Sequence, residues 1–191
     1  MPSPVQTLTT LSIQDYLIQE LHSDVRHEFV AGQIFAMGGA SRNHNRIVRN
    51  LTAALHAYLR GGPCEVFASD MKVSIEAVQS FYYPDVVVTC DPTDREEYFV
   101  TRPTLIIEVL SPTTEVLDRR EKWLNYRRLA SLQEYVLIAQ GKPVIEVSRR
   151  SGEQTWERQT YTIGDEVEFN SIGLRLAVAT LYDSVDVSGA A

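Results

Sequence analysis

Between Leu105 and Ile138 the chain passes through an apolar strand-sized segment, a Ser111-Pro112 stop, a charged helical segment over about 115–129, and a second apolar segment at 134–139. A strand, helix and strand in that order cannot close as a hairpin, and they impose a right-handed parallel crossover. The upstream sequence predicts the elements that surround it. A short helix starts at Ser12, where Ser12-Ile13-Gln14-Asp15 has the shape of a capping box. A hairpin of 27–30 and 33–36 turns at Ala31-Gly32, with Gly32 supplying a positive φ. A second helix runs from Ser41 to Arg60; its Ile47, Val48, Leu51, Leu55, Tyr58 and Leu59 are expected on one face, and Gly61-Gly62-Pro63 closes it. Strands are expected at 65–75, 81–90 and 104–110, and downstream at 144–149, 156–162 and 174–178, with Ser151-Gly152 as one turn. The expected fold class is therefore α/β, a mixed β-sheet flanked by helices in the order αβββαβ, with an antiparallel C-terminal extension.

The chain of 191 residues, 44% hydrophobic and 23% charged, has no internal repeat and reads as one domain, with a core at about 28–139 and a hairpin extension at 140–191. A chain of this size buries roughly 70% of its unfolded surface, so it needs neither disulfides nor a structural metal. Cys64 and Cys90 have no CxxC or CxxH spacing and read as reduced core thiols. Residues 1–7 lack the basic and apolar regions of a secretory leader. The apolar runs are far shorter than the ~20 residues of a membrane span, so a cytoplasmic protein without a membrane partner is expected.

The net charge of -7 argues against non-specific coating of nucleic acid. Local charge differs: Arg42 to Arg60 holds four arginines and no acid, and Arg119 to Arg128 holds five basic residues against Glu121 alone. Two such helices either border a cleft that attracts a polyanion or present solvated faces.

Two carboxylates interrupt apolar strands. Asp85 opens the run Val86-Val87-Val88, and Glu108 splits Leu105-Ile106-Ile107 from Val109-Leu110. An ionised group in a buried strand costs several kcal/mol unless it is paired or binds a metal. The 23 residues between them allow one strand, a polar loop and a return on a neighbouring strand. Two carboxylates side by side call for a proton or a cation between them, and a hard divalent ion suits oxygen ligands. Alternatively each acid caps a strand end against an arginine. Lys122 lies on the next helix, where Asp118 is its i, i+4 neighbour; it reads either as half of a plain helical ion pair or as a fixed cation beside a metal site.

Several stretches together resemble the Uma-type restriction endonuclease family of the PD-(D/E)XK nuclease superfamily. They are Tyr83-Pro84-Asp85-Val86, Ile107-Glu108-Val109-Leu110-Ser111-Pro112-Thr113-Thr114, Asp118-Arg119 with Lys122, and Tyr126-Arg127. Gly38-Gly39-Ala40-Ser41 with His44-Asn45-Arg46-Ile47, Phe67-Ala68-Ser69-Asp70-Met71 and Pro103-Thr104-Leu105 extend the likeness over about 28–138. The resemblance implies a restriction-endonuclease-like fold and a metal-dependent endonuclease. Asp85 and Glu108 would hold Mg²⁺ or Mn²⁺, with the Val109 carbonyl as a further ligand. The superfamily's lysine two residues after the acid is replaced by Leu110, so the ammonium has to come from elsewhere. Lys122 is the candidate for it and Lys72 the fallback.

Glu28, His44 and Asp70 are accessory candidates: Glu28 as an early acid, His44 on the sheet-facing side of its helix, and Asp70 as an orienting group or a turn cap. Arg42, Arg46, Arg49, Arg119, Arg127 and Arg128 are candidate backbone contacts to DNA. Cutting both strands needs two sites, so a homodimer is expected. The competing reading is a non-catalytic nucleic-acid or protein interaction module that keeps the fold. A two-carboxylate glycoside hydrolase is disfavoured by the basic helices and by the presence of only Trp123 and Trp156.

Overall fold

The computed structural model describes residues 10–187; the leader reading for 1–7 and the last residues of the extension lie outside them. The elements are α1 (Ile13–Leu21), β1 (His27–Val30), β2 (Gln33–Ala36), α2 (Arg42–Leu59), β3 (Glu65–Ala68), β4 (Lys72–Ile75), β5 (Ser80–Tyr82), β6 (Val86–Thr89), β7 (Phe99–Val100) and β8 (Leu105–Leu110). They continue with α3 (Glu115–Leu117), a π-helical turn (Asp118–Lys122), α4 (Trp123–Tyr126), β9 (Glu134–Ala139), β10 (Val144–Arg150), β11 (Trp156–Thr162), β12 (Glu166–Phe169), β13 (Leu174–Ala177) and α5 (Val178–Leu181). Among the described residues no helix is long and apolar enough to cross a membrane.

The strands form a six-stranded sheet, β11-β10-β9-β8-β6-β3, a five-stranded sheet, β2-β1-β5-β4-β7, and the pair β12-β13. In the larger sheet β8 and β9 are parallel and every other pair is antiparallel, as the crossover requires. In chain order α2, β3, β6, β8, the helical segment and β9 give the expected αβββαβ core, and β10 and β11 continue the same sheet.

All six residues of β8 are buried, and the sheet divides them by parity. Val86, Val88, Leu105, Ile107 and Val109 face α2 and the β12-β13 pair. Val87, Ile106 and Leu110 face Val73, Ile75 and Tyr82 of the smaller sheet. Each such fully buried side chain stabilises the fold by roughly 1.5–3 kcal/mol.

Three expectations need correction. The strands expected at 65–75 and 81–90 are each broken and pass from one sheet to the other. Pro84 has no N–H to donate to a ladder, so β5 ends at Tyr82 and β6 starts at Val86. The other strand breaks at Ser69, which has a φ of 61°; its N–H donates to the Asp85 carbonyl at 3.0 Å, which ties the two corners together.

The helix expected over 115–129 contains the π turn and ends at Tyr126. Asp118, Lys122 and Tyr126 all point inward, whereas residues four apart on an α-helix drift about 40° round the axis. The wider turn takes up that drift.

Cys64 and Cys90 form a disulfide rather than two free thiols. The β3–β6 register pairs Glu65 with Thr89, and one step further along puts the cysteines opposite each other.

Candidate functional site

The β6–β8 register pairs Val86 with Ile107, and one step further sets Asp85 opposite Glu108 on the face shared with Ile106 and Val87. Since β6 starts only after Pro84, the Asp85 side chain takes over a ladder position. Its Oδ2 accepts the Val109 N–H at 2.7 Å, and Glu108 Oε2 accepts the Asp85 N–H at 3.4 Å. In a strand the N–H and C=O of one residue face the same neighbour, so the Val109 carbonyl is directed to the Asp85 side. His44 Nε2, in the first turn of α2, stands 3.1 Å from Asp85 Oδ2.

Behind this pair lies the ammonium of Lys122, 2.9 Å from Glu28 Oε1, 3.2 Å from Glu108 Oε1 and 3.3 Å from Asp118 Oδ1. Tyr126 donates its hydroxyl to Glu108 Oε1 at 3.3 Å, and the Tyr83 N–H donates to Glu28 at 3.3 Å. Glu108, Lys122, Asp118 and Glu28 are buried, whereas Asp85 and His44 are partly open to solvent. The group forms the floor of a cleft of about 690 Å³. Its walls are the β2–α2 loop, the Tyr83–Asp85 corner and the Ser111–Thr114 turn.

Four carboxylates surround one ammonium and one imidazole, and the surplus of negative charge governs the protonation of the site. Burial pushes the Glu108 carboxyl well above its ordinary range; Asp118, Asp85 and Glu28 add to that rise, and Lys122 opposes it. Burial also raises Asp118. For Lys122, burial alone would lower the ammonium, but Glu108, Glu28 and Asp118 outweigh it and hold the group well above an ordinary lysine. The ammonium is therefore a fixed charge, and the acids beside it favour a proton or a further cation.

Among the described residues no group of three His, Cys, Asp or Glu side chains is arranged to hold a metal ion. The donors on offer are two carboxylates and a backbone carbonyl. This set fits Mg²⁺, which takes one or two protein carboxylates and leaves its other positions to water and phosphate.

The structure thus brings Asp85, Glu108, Val109, Lys122, Glu28 and His44 together. Asp70 lies on the cleft rim, exposed, with Arg26 Nε 3.5 Å away. Lys72 turns elsewhere: it donates to the Tyr83 hydroxyl at 3.3 Å, which in turn donates to Glu20.

None of the six candidate arginines lines the cleft. Arg119 is bound to Glu115 and Glu146. Arg127 stacks on Trp123 and donates to Gln154, and Arg49 donates to Asn50. Arg128 borders a separate pocket beside Phe81 and Phe99. The i, i+4 ion pair of Asp118 with Lys122 is present, and it is buried together with Glu108 and Glu28.

By its fold the molecule belongs to the mixed α/β proteins with mixed sheets flanked by helices. A solved structure, a "putative nuclease belonging to DUF820" from Anabaena variabilis ATCC 29413, superposes with a TM-score of 0.76 over 92% of this chain and 99% of that one, at 16% identity. Residues 13–179 match the Uma2 family, described as "Putative restriction endonuclease", and the chain belongs to that family. Two relatives come from Synechocystis sp. (strain ATCC 27184 / PCC 6803 / Kazusa). The protein slr1290 is 40% identical over 181 residues, covering 94% of this chain and 95% of its own. The protein sll1609 is 36% identical over 171 residues, covering 87% and 96%.

Proposed function

We propose that the chain is a Mg²⁺-dependent endodeoxyribonuclease. The observation that carries this reading is the convergence of Asp85 and Glu108 beside the buried, permanently charged ammonium of Lys122 at the floor of an open cleft. Asp85, Glu108 and the Val109 carbonyl would hold Mg²⁺, or Mn²⁺ in its place. When bound, the ion supplies Lewis-acid polarisation of the phosphodiester and activation of the attacking water. Lys122 offers fixed positive charge to the phosphoryl oxygens as negative charge builds on them. Glu28 and Asp118 hold that ammonium in place, and His44 with the Val109 N–H fixes the Asp85 carboxylate. The water oxygen bonds to phosphorus and gives up a proton to solvent, while the bond to the 3′-oxygen breaks and that oxygen takes a proton from a second water, leaving a 5′-phosphate and a 3′-hydroxyl. Two such sites in a homodimer would cut both strands of a duplex.

The test is nicking of supercoiled plasmid in Mg²⁺ or Mn²⁺, with and without chelator. Nicking that chelator and Asp85→Ala both abolish supports the proposal; equal traces from wild type and Asp85→Ala refute it. One observation favours a non-catalytic interaction module instead: the cleft lining contains Arg26 but none of the arginines on α2 or in 119–128. Absence of calorimetric Mg²⁺ or Mn²⁺ binding at millimolar concentration would select that module.

A further inference from the structure

Among the six phenylalanines only Phe35 is exposed, at 51%. Its strand β2 is the edge of the five-stranded sheet, and all four of its residues are exposed. The β1–β2 register pairs Phe35 with Glu28 and Ile34 with Phe29. Directly paired residues share a sheet face with their Cβ atoms about 4.5–5.5 Å apart. Phe35 therefore stands on the cleft face beside Glu28, whose carboxylate touches Lys122, while Ile34 turns to the side of the Tyr16–Phe29–Phe81 cluster. Phe35, Met37 and Gly38-Gly39 form one wall of the cleft. A Cβ added at either glycine would meet nothing within 4 Å, so this stretch of the wall is open.

An aromatic ring that packs against no core, one cross-strand step from the acids, is placed to receive a flat apolar ligand. Among the described residues Lys122 and Arg26 are the only lysine and arginine in the cleft lining, so grip on a phosphate backbone is weak within the cleft, and stacking is the further source of affinity that the cleft itself can offer a nucleic acid. In a regular duplex the base faces are covered by their neighbours.

We propose that Phe35 is a base-stacking residue and that the cleft accepts DNA whose base next to the scissile phosphate is unpaired, in a single strand or a locally opened segment. This rests on the nuclease reading and names its substrate class.

The test is fluorescence anisotropy of a labelled single-stranded oligonucleotide and of its duplex, with Ca²⁺ in place of Mg²⁺ at fixed salt. Phe35→Ala should weaken single-strand binding about tenfold, Phe35→Trp should restore it, and duplex binding should change little. An abasic site moved along the strand should erase the Phe35→Ala penalty at one position. A merely structural role for the ring would not produce that dependence. Thermal melting of the variants checks that the fold is intact. Unchanged single-strand affinity, an equal loss on both substrates, or no binding by wild type would overturn the inference. Plasmid nicking by wild type and Asp85→Ala separates the two proposals. Asp85-dependent nicking with binding indifferent to Phe35 sinks the stacking role alone. Phe35-dependent binding without such nicking sinks the nuclease chemistry alone.

Discussion

Lys122 Nζ lies closer to Glu28 Oε1, at 2.9 Å, than to Glu108 at 3.2 Å or Asp118 at 3.3 Å. The same Glu28 oxygen accepts the Tyr83 N–H, so one carboxylate links the ammonium to the corner that carries Asp85. The cluster holds more acid than base, and the two kinds of deletion should therefore differ. Lys122→Met strands several buried carboxylates and should destabilise the protein by about 3–5 kcal/mol. Glu28→Gln keeps an acceptor and removes one charge from the surplus, so its loss should stay near ~1 kcal/mol. Urea denaturation of both variants measures the difference, and equal losses would contradict the surplus.

The hairpin between β1 and β2 sets the position of Glu28, and its turn has positive φ at both central residues, 47° at Ala31 and 93° at Gly32. That is the turn geometry matching the twist of paired strands. A Cβ at Gly32 would sit 2.8 Å from Thr10 Cβ. Gly32→Ala should therefore cost more than the ~1–2 kcal/mol of a left-handed residue alone. Ala31→Gly relieves the same strain and should leave stability unchanged or raise it. Opposite shifts in Tm are the expected result.

Asp91 opens the loop before β7. Hydrogen bonds from the Thr93 hydroxyl and N–H, and then from Arg102, hold its carboxyl down at about 2. A carboxyl whose folded value is depressed stabilises the fold above its unfolded value, and that contribution is lost as the pH falls through the folded value. The acid limb of stability between pH 4 and 2 should therefore flatten in Asp91→Asn. In a carboxyl NMR titration, Thr93→Ala and Arg102→Ala should each raise the Asp91 midpoint.

The Cys64–Cys90 bond closes a loop of 26 residues across the β3–β6 pair. Reduction should lower stability by about 2–4 kcal/mol without moving the strands, whose four paired positions hold the register. The far-ultraviolet spectrum should stay the same while the urea midpoint falls. Alkylation of both thiols in the unfolded protein before any reductant is added would show that the bond is absent.

Much of the site could be read from the chain because its central relation is local to two strands. Asp85 and Glu108 interrupt runs of β-branched and aliphatic residues, and the residues between them fit an antiparallel return. The parallel crossover followed from the order of elements. The sheet switches at Ser69 and at Pro84 were hidden because the residues on both sides of each corner are equally apolar, and periodicity does not record which sheet a strand joins. The cysteine pair depends on strand register and shows no spacing motif. The π turn depends on the burial of Asp118 and Lys122 together, which is a tertiary property. The arginines of α2 and 119–128 look alike in the sequence, and only the fold separates those held by acids from those left open.

That separation predicts how salt should act on DNA binding. Arg42 and Arg46 make no ion pair among the described residues. Arg119 instead donates to Glu115 and, through both terminal nitrogens, to Glu146. Each arginine that neutralises a phosphate contributes about 0.7 on a single strand, or about 0.9 on a duplex, to the slope of log affinity against log salt. Replacing Arg42 and Arg46 together should therefore reduce that slope by roughly 1–2. Arg119→Ala removes a cation already neutralised by two carboxylates, so it should lower Tm and leave the slope within about 0.3 of wild type. Titrations at several salt concentrations measure both. A slope that falls as far in Arg119→Ala as in the α2 variant would mean that DNA displaces Glu146, and the division between held and open arginines would then fail.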